Sequence, residues 1–484
     1  MSLFYALSAA GQSLNTNKRA IDITNKNMSN VYTEGYTRKN SVIQDLPLAG
    51  IDIATVERAF DKSLFNRYIN LNQELSGEKR FQHNLDQIES IFNDVQGSGF
   101  STALNDFFNS FNDIAVNPDD LAARYSAITS ANELVGRIRN SAENITDIRT
   151  NTVMDIKDNV TKLNQLTSQL AEVNKGLKIY SADETRVNEY LDKRDNLIRD
   201  ISKLIDVKIK INSDNTVNLN TAKGFNLVLN DKSTNLEFAQ INGEYQLRWD
   251  GVNISNDIKN GEIGGNLKTL RFLEETEKKL DDFVSVLALT FNKQHQQGYD
   301  LYGNAGENFF GIDPSSSDTQ IKASNIYVNI SDPKKIAAAS DPSYTNSDNT
   351  NIKALINLKE DINGVLTSSE ESALFSATGL TFGGITYSLN SSENYSTIKS
   401  KSFGEGYNSL LVAPIGFESE KNKKSIESNS FLFEAVDSKM KEISSVNLDE
   451  ELINLTKLQR AYQASAKIIN VTDELLQTVM NLVR

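Results

Sequence analysis

The chain of 484 residues contains no cysteine. Disulfides, thiolate metal sites and cysteine nucleophiles are therefore excluded, and the absence suits a protein exported unfolded. Histidine is almost missing: His83 and His295 lie far apart in sequence. A Ser-His-Asp triad or a zinc site needs a histidine with partners at defined spacing, and neither H-E-x-x-H nor a Cys/His pattern occurs. Both histidines read as structural or surface residues. Proline occurs six times and tryptophan once, at Trp249, so long uninterrupted helices are permitted. No run approaches the roughly 18 consecutive apolar residues of a membrane span. Leu3 to Ala10 is apolar, but no Lys or Arg precedes it and Ser2 and Ser8 interrupt it, so no secretory signal is evident. Positive charge is also short: the formal net charge of −14 argues against a nucleic-acid partner.

Enzyme signatures are missing as well. Glycines form neither G-x-G-x-x-G nor G-x-x-x-x-G-K-[ST]. Acidic pairs are plentiful (Asp119-Asp120, Glu274-Glu275, Asp281-Asp282, Glu370-Glu371), but helical neighbours of this kind form solvated faces rather than an acid/base pair. Asp313 to Asp318 lacks the order of a calcium loop and reads as an ordinary loop. The expectation is a non-enzyme with no cofactor and no metal. Its 39% hydrophobic content is low for a compact enzyme but adequate for helical rods.

A chain of this length exceeds one core, and two to four domains are expected. The expected class is mainly α with β insertions. Residues 3–30 read as a helix ending in an Asn-rich turn, with Gly35 free to take positive φ. Short β-branched runs follow to 58. Helical patterns then resume from Asp61, break near Gly97 and Gly99, end before Pro118, and continue from about Asp119 to Tyr180 and from Glu184 to Leu204. The period switches to two at Val207, Ile209 and Ile211, and runs near 217–219, 227–229, 236–238 and 245–249 suggest a β-meander. A helix over about 265–297 follows. The Ser/Asn-rich stretch 311–400 reads as a small, mostly β outer domain. Helix returns from Phe403 to Ser444 and again from 448.

The two terminal helices carry the most information. Leu448, Leu452, Leu455, Leu458, Tyr462, Ser465, Ile469, Thr472, Leu476, Val479 and Val483 recur at spacings of three and four. That average near 3.5 is a coiled-coil seam. Leu3, Leu7, Ala10, Leu14, Ile21 and Met28 keep the same register at the other end. Asp449, Glu450 and Glu451 fall in the first turn of the last helix, where carboxylates complement its dipole. Burial against one partner helix is only partial, so both ends should be marginal in the monomer and ordered in an array.

Three blocks carry a family likeness. Ser29-Asn30-Val31-Tyr32-Thr33-Glu34-Gly35-Tyr36-Thr37-Arg38 resembles the ANVNTPGYSRQ turn of rod, hook and hook-associated proteins of the bacterial flagellum. Phe291-Asn292-Lys293-Gln294-His295-Gln296-Gln297-Gly298-Tyr299-Asp300-Leu301, with Gly303, Gly306 and Phe309-Phe310, is similar to the FNxQHxxGxDLxGxxGxxFF stretch of hook-associated members. The run from Val446 through Gln459-Arg460-Ala461-Tyr462-Gln463-Ala464-Ser465 to Leu476 resembles the C-terminal helix of flagellar axial proteins. Leu191-Asp192-Lys193-Arg194-Asp195 is a fourth, shorter match. Glu34 departs from the usual proline and Arg460 from the usual glutamine.

The resemblance implies an adaptor at the hook–filament junction, extracellular and exported by the flagellar type III route without a cleaved signal peptide. It implies domains at 1–58 with 445–484 (inner tube), 59–302 with 401–444 (helical rod) and 303–400 (outer). Its implied partners are further copies of itself, hook protein, a second junction protein and an export chaperone on the last helix, with no nucleic acid and no membrane. Candidate assembly residues are the two seams together with Asn30, Gly35 and Tyr36. A hook or flagellin-like axial protein, or an adhesin carried on 311–400, are the alternatives; a pocket with converging polar groups there would favour the adhesin.

Overall fold

The computed structural model describes residues 3–46, 50–93 and 99–482. The chain divides into two compact units. The first holds residues 1–79, 156–265 and 426–484, and the second holds 80–155 and 266–425. Helices α2 (Lys62–Phe92), α4 (Leu121–Ile179), α6 (Gly261–His295) and α11 (Ala413–Ser444) supply residues to both. Few prolines are what let α4 run for 59 residues.

The first unit contains α1 (Leu3–Ser29), the antiparallel hairpin β1 (Lys39–Leu46) and β2 (Gly50–Arg58), α5 (Glu184–Leu204) and α12 (Leu448–Leu482). The period-two segments are strands. β3 (Val207–Ile211), β4 (Val217–Thr221), β5 (Asn226–Leu229) and β6 (Lys232–Ser233) form one antiparallel sheet, and β7 (Leu236–Ile241), β8 (Glu244–Trp249) and β9 (Val252–Asn253) form another. The turns Asn242-Gly243 and Asp250-Gly251 hold both central residues at positive φ, the geometry whose twist matches a two-residue hairpin. Two α4 asparagines fasten the strand ends. Asn174 exchanges hydrogen bonds with both backbone groups of Val217, and Asn164 does the same with Leu236. Both lie on polar positions of a helix read only for its apolar stripe.

The second unit is organised around one core. Phe107, Phe108 and Phe111 of α3 (Phe100–Val116) meet Phe291 of α6, with Phe309 and Phe310 against them. Residues 303–400 share this core: Ile326, Ile352, Leu355, Ile385 and Tyr387 belong to the same buried cluster. They form two small β pairs, β10 (Phe310–Ile312) with β11 (Ile326–Val328) and β12 (Leu380–Phe382) with β13 (Ile385–Tyr387), and short helices α7 (Thr350–Asn357), α8 (Ser368–Ala373) and α9 (Ser392–Lys399). Helix α10 (Phe403–Tyr407) and a π-helical turn over Asn408–Val412 lead into α11. Arg124, wholly buried, ties α4 to this region by donating to the carbonyls of Pro118, Pro333 and Ile336. Burial lowers its pKa to about 10, so it stays a cation at neutral pH.

The Phe291–Phe310 motif works here as a clasp. Asn292 donates to the Phe310 carbonyl at 2.7 Å and the Tyr387 hydroxyl at 2.9 Å, and accepts from the amides of Phe309 and Phe310. All four of its hydrogen-bonding positions are used. A Cβ at Gly306 would overlap the His295 carbonyl oxygen. His295 is buried: its Nε2 accepts from the Ala337 amide, so its Nδ1–H donates to the Glu307 carbonyl. This fixes the neutral ring, and burial lowers its pKa to about 4. The folded state therefore binds this proton more weakly than the unfolded chain. Its contribution is complete above about pH 6.5 and is lost as pH falls towards 4, on the order of 3 kcal/mol in all. Asp281, raised to about 6 chiefly by burial, works in the opposite sense over an overlapping window. The test is therefore a difference: in urea unfolding, His295→Gln is less stable than the parent at pH 7, and the gap closes as pH falls to 4. A gap that stays constant contradicts the neutral-ring assignment. His83, by contrast, is exposed and meets Gln87.

Candidate functional site: the terminal helix pair

α1 and α12 run antiparallel. Asn27 near the end of α1 meets Glu451 near the start of α12, and Thr24 meets Asn454 one turn further along. Asn447 caps α12, its side chain accepting from the Asp449 amide at 3.0 Å.

A polar knot closes this end of the pair. Asn27 donates to the Lys39 carbonyl at 2.9 Å and to Glu451 at 3.2 Å, and accepts from the Tyr36 hydroxyl and the Lys39 amide. Glu451, about 1% exposed, also meets Arg38 Nε at 2.9 Å, while Arg38 Nη1 reaches the exposed Glu450 at 2.8 Å. The Arg38 amide donates to the Ser444 carbonyl. Burial, with Asp192, Glu451 and Glu189 nearby, holds the Tyr36 phenol well above its ordinary pKa. It therefore remains a donor to Asn27.

The turn behind the knot depends on Asn30 and Gly35. Asn30 donates to the Lys26 carbonyl and accepts from the Thr33 hydroxyl, which closes the last turn of α1. Gly35 has φ 74°, and a Cβ there would overlap the Asn196 amide. Glu34 in the proline position leaves that reversal intact. Gly35→Ala is expected to cost about 1–2 kcal/mol from the left-handed backbone alone, with more from displacing Asn196. It should lower the thermal midpoint of the first unit; an unchanged midpoint would show that the turn tolerates a side chain. A crevice of about 680 Å³ lies under this turn, bordered by Tyr68, Arg199, Phe433 and Met440.

The fourth sequence block anchors the hairpin. Arg58 of β2 pairs with Asp192 at 2.9 Å and Asp195 at 2.6 Å, and Thr37 donates to Asp192. Arg194 pairs with Asp195 and donates to the Asn215 carbonyl. Burial raises the Asp192 pKa, and Arg58 opposes that shift. The hairpin in turn braces α1 through the Thr16 hydroxyl on the Ile51 carbonyl.

Among the seam residues, Leu455, Leu458, Tyr462, Ile469 and Leu476 are half-buried and Ser465 and Thr472 are buried. On α1, Ala10 is buried, while Leu3, Leu7, Leu14, Ile21 and Met28 are half-buried. The most enclosed positions of α1 are Ala10, Thr16, Asn17, Ala20, Thr24 and Asn27, all polar or small: Ala10 is in the apolar register, Asn17 and Thr24 fill its gaps between Leu14, Ile21 and Met28, and Ala20 and Asn27 lie one residue before it. Leu448, Leu452 and Val479 are exposed. Val483 lies outside the described residues. The pair therefore buries little apolar surface and leaves Ile453, Ile468, Val471 and Leu475 exposed as well. Sequence reasoning missed Asn27, Arg38 and Glu451 as the register-setting contacts. The Asn-rich helix end and the acidic first turn were their only signals.

These features match known proteins. The helical domain described as "Flagellar hook-associated protein FlgK helical domain" matches residues 85–310. The C-terminal region described for flagellar basal body rod FlgEFG proteins matches residues 438–482, which include all of α12. Flagellar hook-associated protein 1 of Salmonella typhimurium is 23% identical over 98% of this chain and 99% of its own length. This chain is similar along nearly its whole length to flagellar hook-associated proteins. A protein from Bacillus subtilis, also named flagellar hook-associated protein 1, is 22% identical over 99% of this chain and 98% of its own. The fold is shared with the flagellar hook junction protein FlgK of Burkholderia pseudomallei, with a TM-score of 0.63, 14% identity, and 79% of this chain and 100% of that one covered. The region that matches the FlgK helical domain includes α3, Asn292 and the two sheets.

Proposed function

We propose that this chain is a structural subunit of the bacterial flagellum that joins the hook to the filament. The observation that carries the reading is the α1–α12 pair: a register fixed by a buried polar knot, with apolar side chains left uncovered on α12. Such a surface is built to be completed by neighbours. The names of the full-length relatives, hook-associated and hook junction proteins, support the place. Copies pack through the paired terminal helices, with hook protein on one side and a second junction protein on the other. Leu3, Leu7, Ala10, Leu14, Ile21, Met28, Leu448, Leu452, Leu455, Leu458, Tyr462, Ile469, Leu476, Val479 and Val483 are the proposed contact residues, and Asn30, Gly35 and Tyr36 shape the turn that presents them. An export chaperone covers α12 before secretion, and the chain works outside the cell without catalysing a reaction. Among the described residues, no helix is long and apolar enough to cross a membrane.

Loss of the gene is expected to leave hooks without filaments and to release flagellin monomers into the medium. Electron microscopy together with immunoblotting of the supernatant reads both. Full-length filaments on the mutant cells would defeat the reading. The adhesin alternative has one structural foothold, a shallow groove of about 360 Å³ lined by Ser372, Phe375, Tyr395 and Lys399.

A further inference from the structure

Helices α8 and α9, both in the second unit, face each other across the groove of about 360 Å³ described above. A chain of side chains joins them. The Tyr395 hydroxyl donates to Glu371 Oε1 at 2.9 Å, and Lys399 Nζ donates to the same oxygen at 2.5 Å. The Phe375 ring meets the Tyr395 ring edge-on, with centroids 6.1 Å apart. Serines four apart line both walls: Ser368 and Ser372 on α8, Ser392 and Ser396 on α9. That spacing puts each pair on one helix face.

The groups left over define a ligand. Glu371 Oε2 has no partner among the described residues, and neither do the hydroxyls of Ser368, Ser392 and Ser396. Burial pushes the Glu371 pKa up, but Lys399 and Tyr395 outweigh it and hold the carboxyl below its ordinary range. Oε2 is therefore an acceptor at neutral pH. Lys399 uses one of its three N–H groups on Glu371 and keeps the others. Phe375 is 40% exposed. An anion would face Glu371, an ammonium would face Lys399, and the paired charges cancel, so neither sign is drawn in. An apolar segment would cover Oε2 and the Lys399 N–H groups without pairing them. A hydroxyl donates and accepts at once. Of two adjacent hydroxyls, one can donate to Glu371 while the next accepts from Lys399. A sugar ring carries such neighbours on its rim and has an apolar C–H face.

We propose that the α8–α9 groove binds a neutral saccharide, with the C–H face of one ring on Phe375 and neighbouring hydroxyls on Glu371 Oε2 and Lys399 Nζ. The groove serines bond the remaining hydroxyls. The volume is at the small end of the roughly 300–1,000 Å³ of small-ligand sites, so the groove takes a short unit, free or within a longer glycan. This binding is separate from the junction reading, and neither depends on the other.

Saturation-transfer NMR of the full-length chain with lactose, maltose and cellobiose tests the site. Saturation is expected to reach the ring protons of at least one of these sugars. Phe375→Ala removes an exposed ring. Glu371→Gln keeps an acceptor for Tyr395 but puts an amide N–H₂ in place of Oε2. Each should weaken that binding about tenfold, with the melting transition unchanged. Signals from none of the three sugars, or signals that both variants leave intact, overturn the site. Stronger signals from sialyllactose than from lactose overturn the neutral assignment. Retention of the chain on amylose or cellulose beads assigns the ligand to a polymer, and binding of a free disaccharide without retention assigns it to a free sugar. Loss of the Phe375→Ala chain from hook–filament complexes, with no sugar bound by the parent, makes the groove a protein contact and overturns the saccharide reading.

Discussion

Removing residues 448–484 abolishes incorporation into the flagellum while the rest of the chain stays folded. The reason lies in how α12 is held. Its buried side chains among the described residues are Glu451, Ser465 and Thr472, none of them apolar. The sheets β3–β9 and the core around Phe107 and Phe291 draw no residue from α12. Their stability therefore does not depend on it, whereas the proposed contact surface disappears entirely. The expected result is a truncated chain with a near-parental melting transition of its second unit and no detectable protein in isolated hook–filament complexes. Incorporation at parental levels would contradict the assembly role of α12, and loss of the melting transition would show that α12 is part of the fold.

Replacing Arg38 by alanine is the second large effect. Among the described residues, it leaves the buried Glu451 carboxylate with the Asn27 amide as its one side-chain partner. Removing one partner of a wholly buried pair costs about 3–5 kcal/mol. Arg38 is about a quarter exposed, so solvent screening reduces the expectation to roughly 1–3 kcal/mol. Glu450→Ala, which removes only an exposed partner, should cost well under 1 kcal/mol. Circular dichroism of the full chain, compared with that of the 448–484 deletion, should show the Arg38→Ala variant losing much of the helix that the deletion removes. Equal effects of Arg38→Ala and Glu450→Ala would mean that the buried half of the knot contributes nothing special.

The elements were legible where one period dominated. Val207, Ile209 and Ile211 alternate because their strand has one covered face, and α12 announced itself by its three-and-four spacing. The seam was harder. Apolar spacing points to Leu3, Leu7 and Leu14, while the enclosed positions of α1 include Asn17 and Thr24, polar residues in the gaps of that same spacing, and Ala20 and Asn27 one residue before it. Hydrophobicity cannot reveal enclosed polar side chains such as Thr24 and Asn27, which hydrogen-bond to α12. The Phe291–Phe310 block was recognisable as a motif, but its work required coordinates. Only the fold shows Asn292 spanning to Phe310 and Tyr387, or His295 reaching Ala337. The Ser/Asn-rich composition of 311–400 points to an outer domain; its buried Ile352, Leu355 and Tyr387 are too sparse in sequence to betray the core they join.

Hydrogen exchange of α1 and α12 in the free chain and in isolated hook–filament complexes tests the central claim most directly. Helices that bury so little apolar surface should exchange rapidly when free and become strongly protected once neighbours cover Leu452, Ile453, Val471 and Val479. α6, with Phe283, Leu287 and Phe291 wholly buried, should be protected in both states. Equal protection of α12 in the free and assembled protein would contradict a terminal pair completed by assembly.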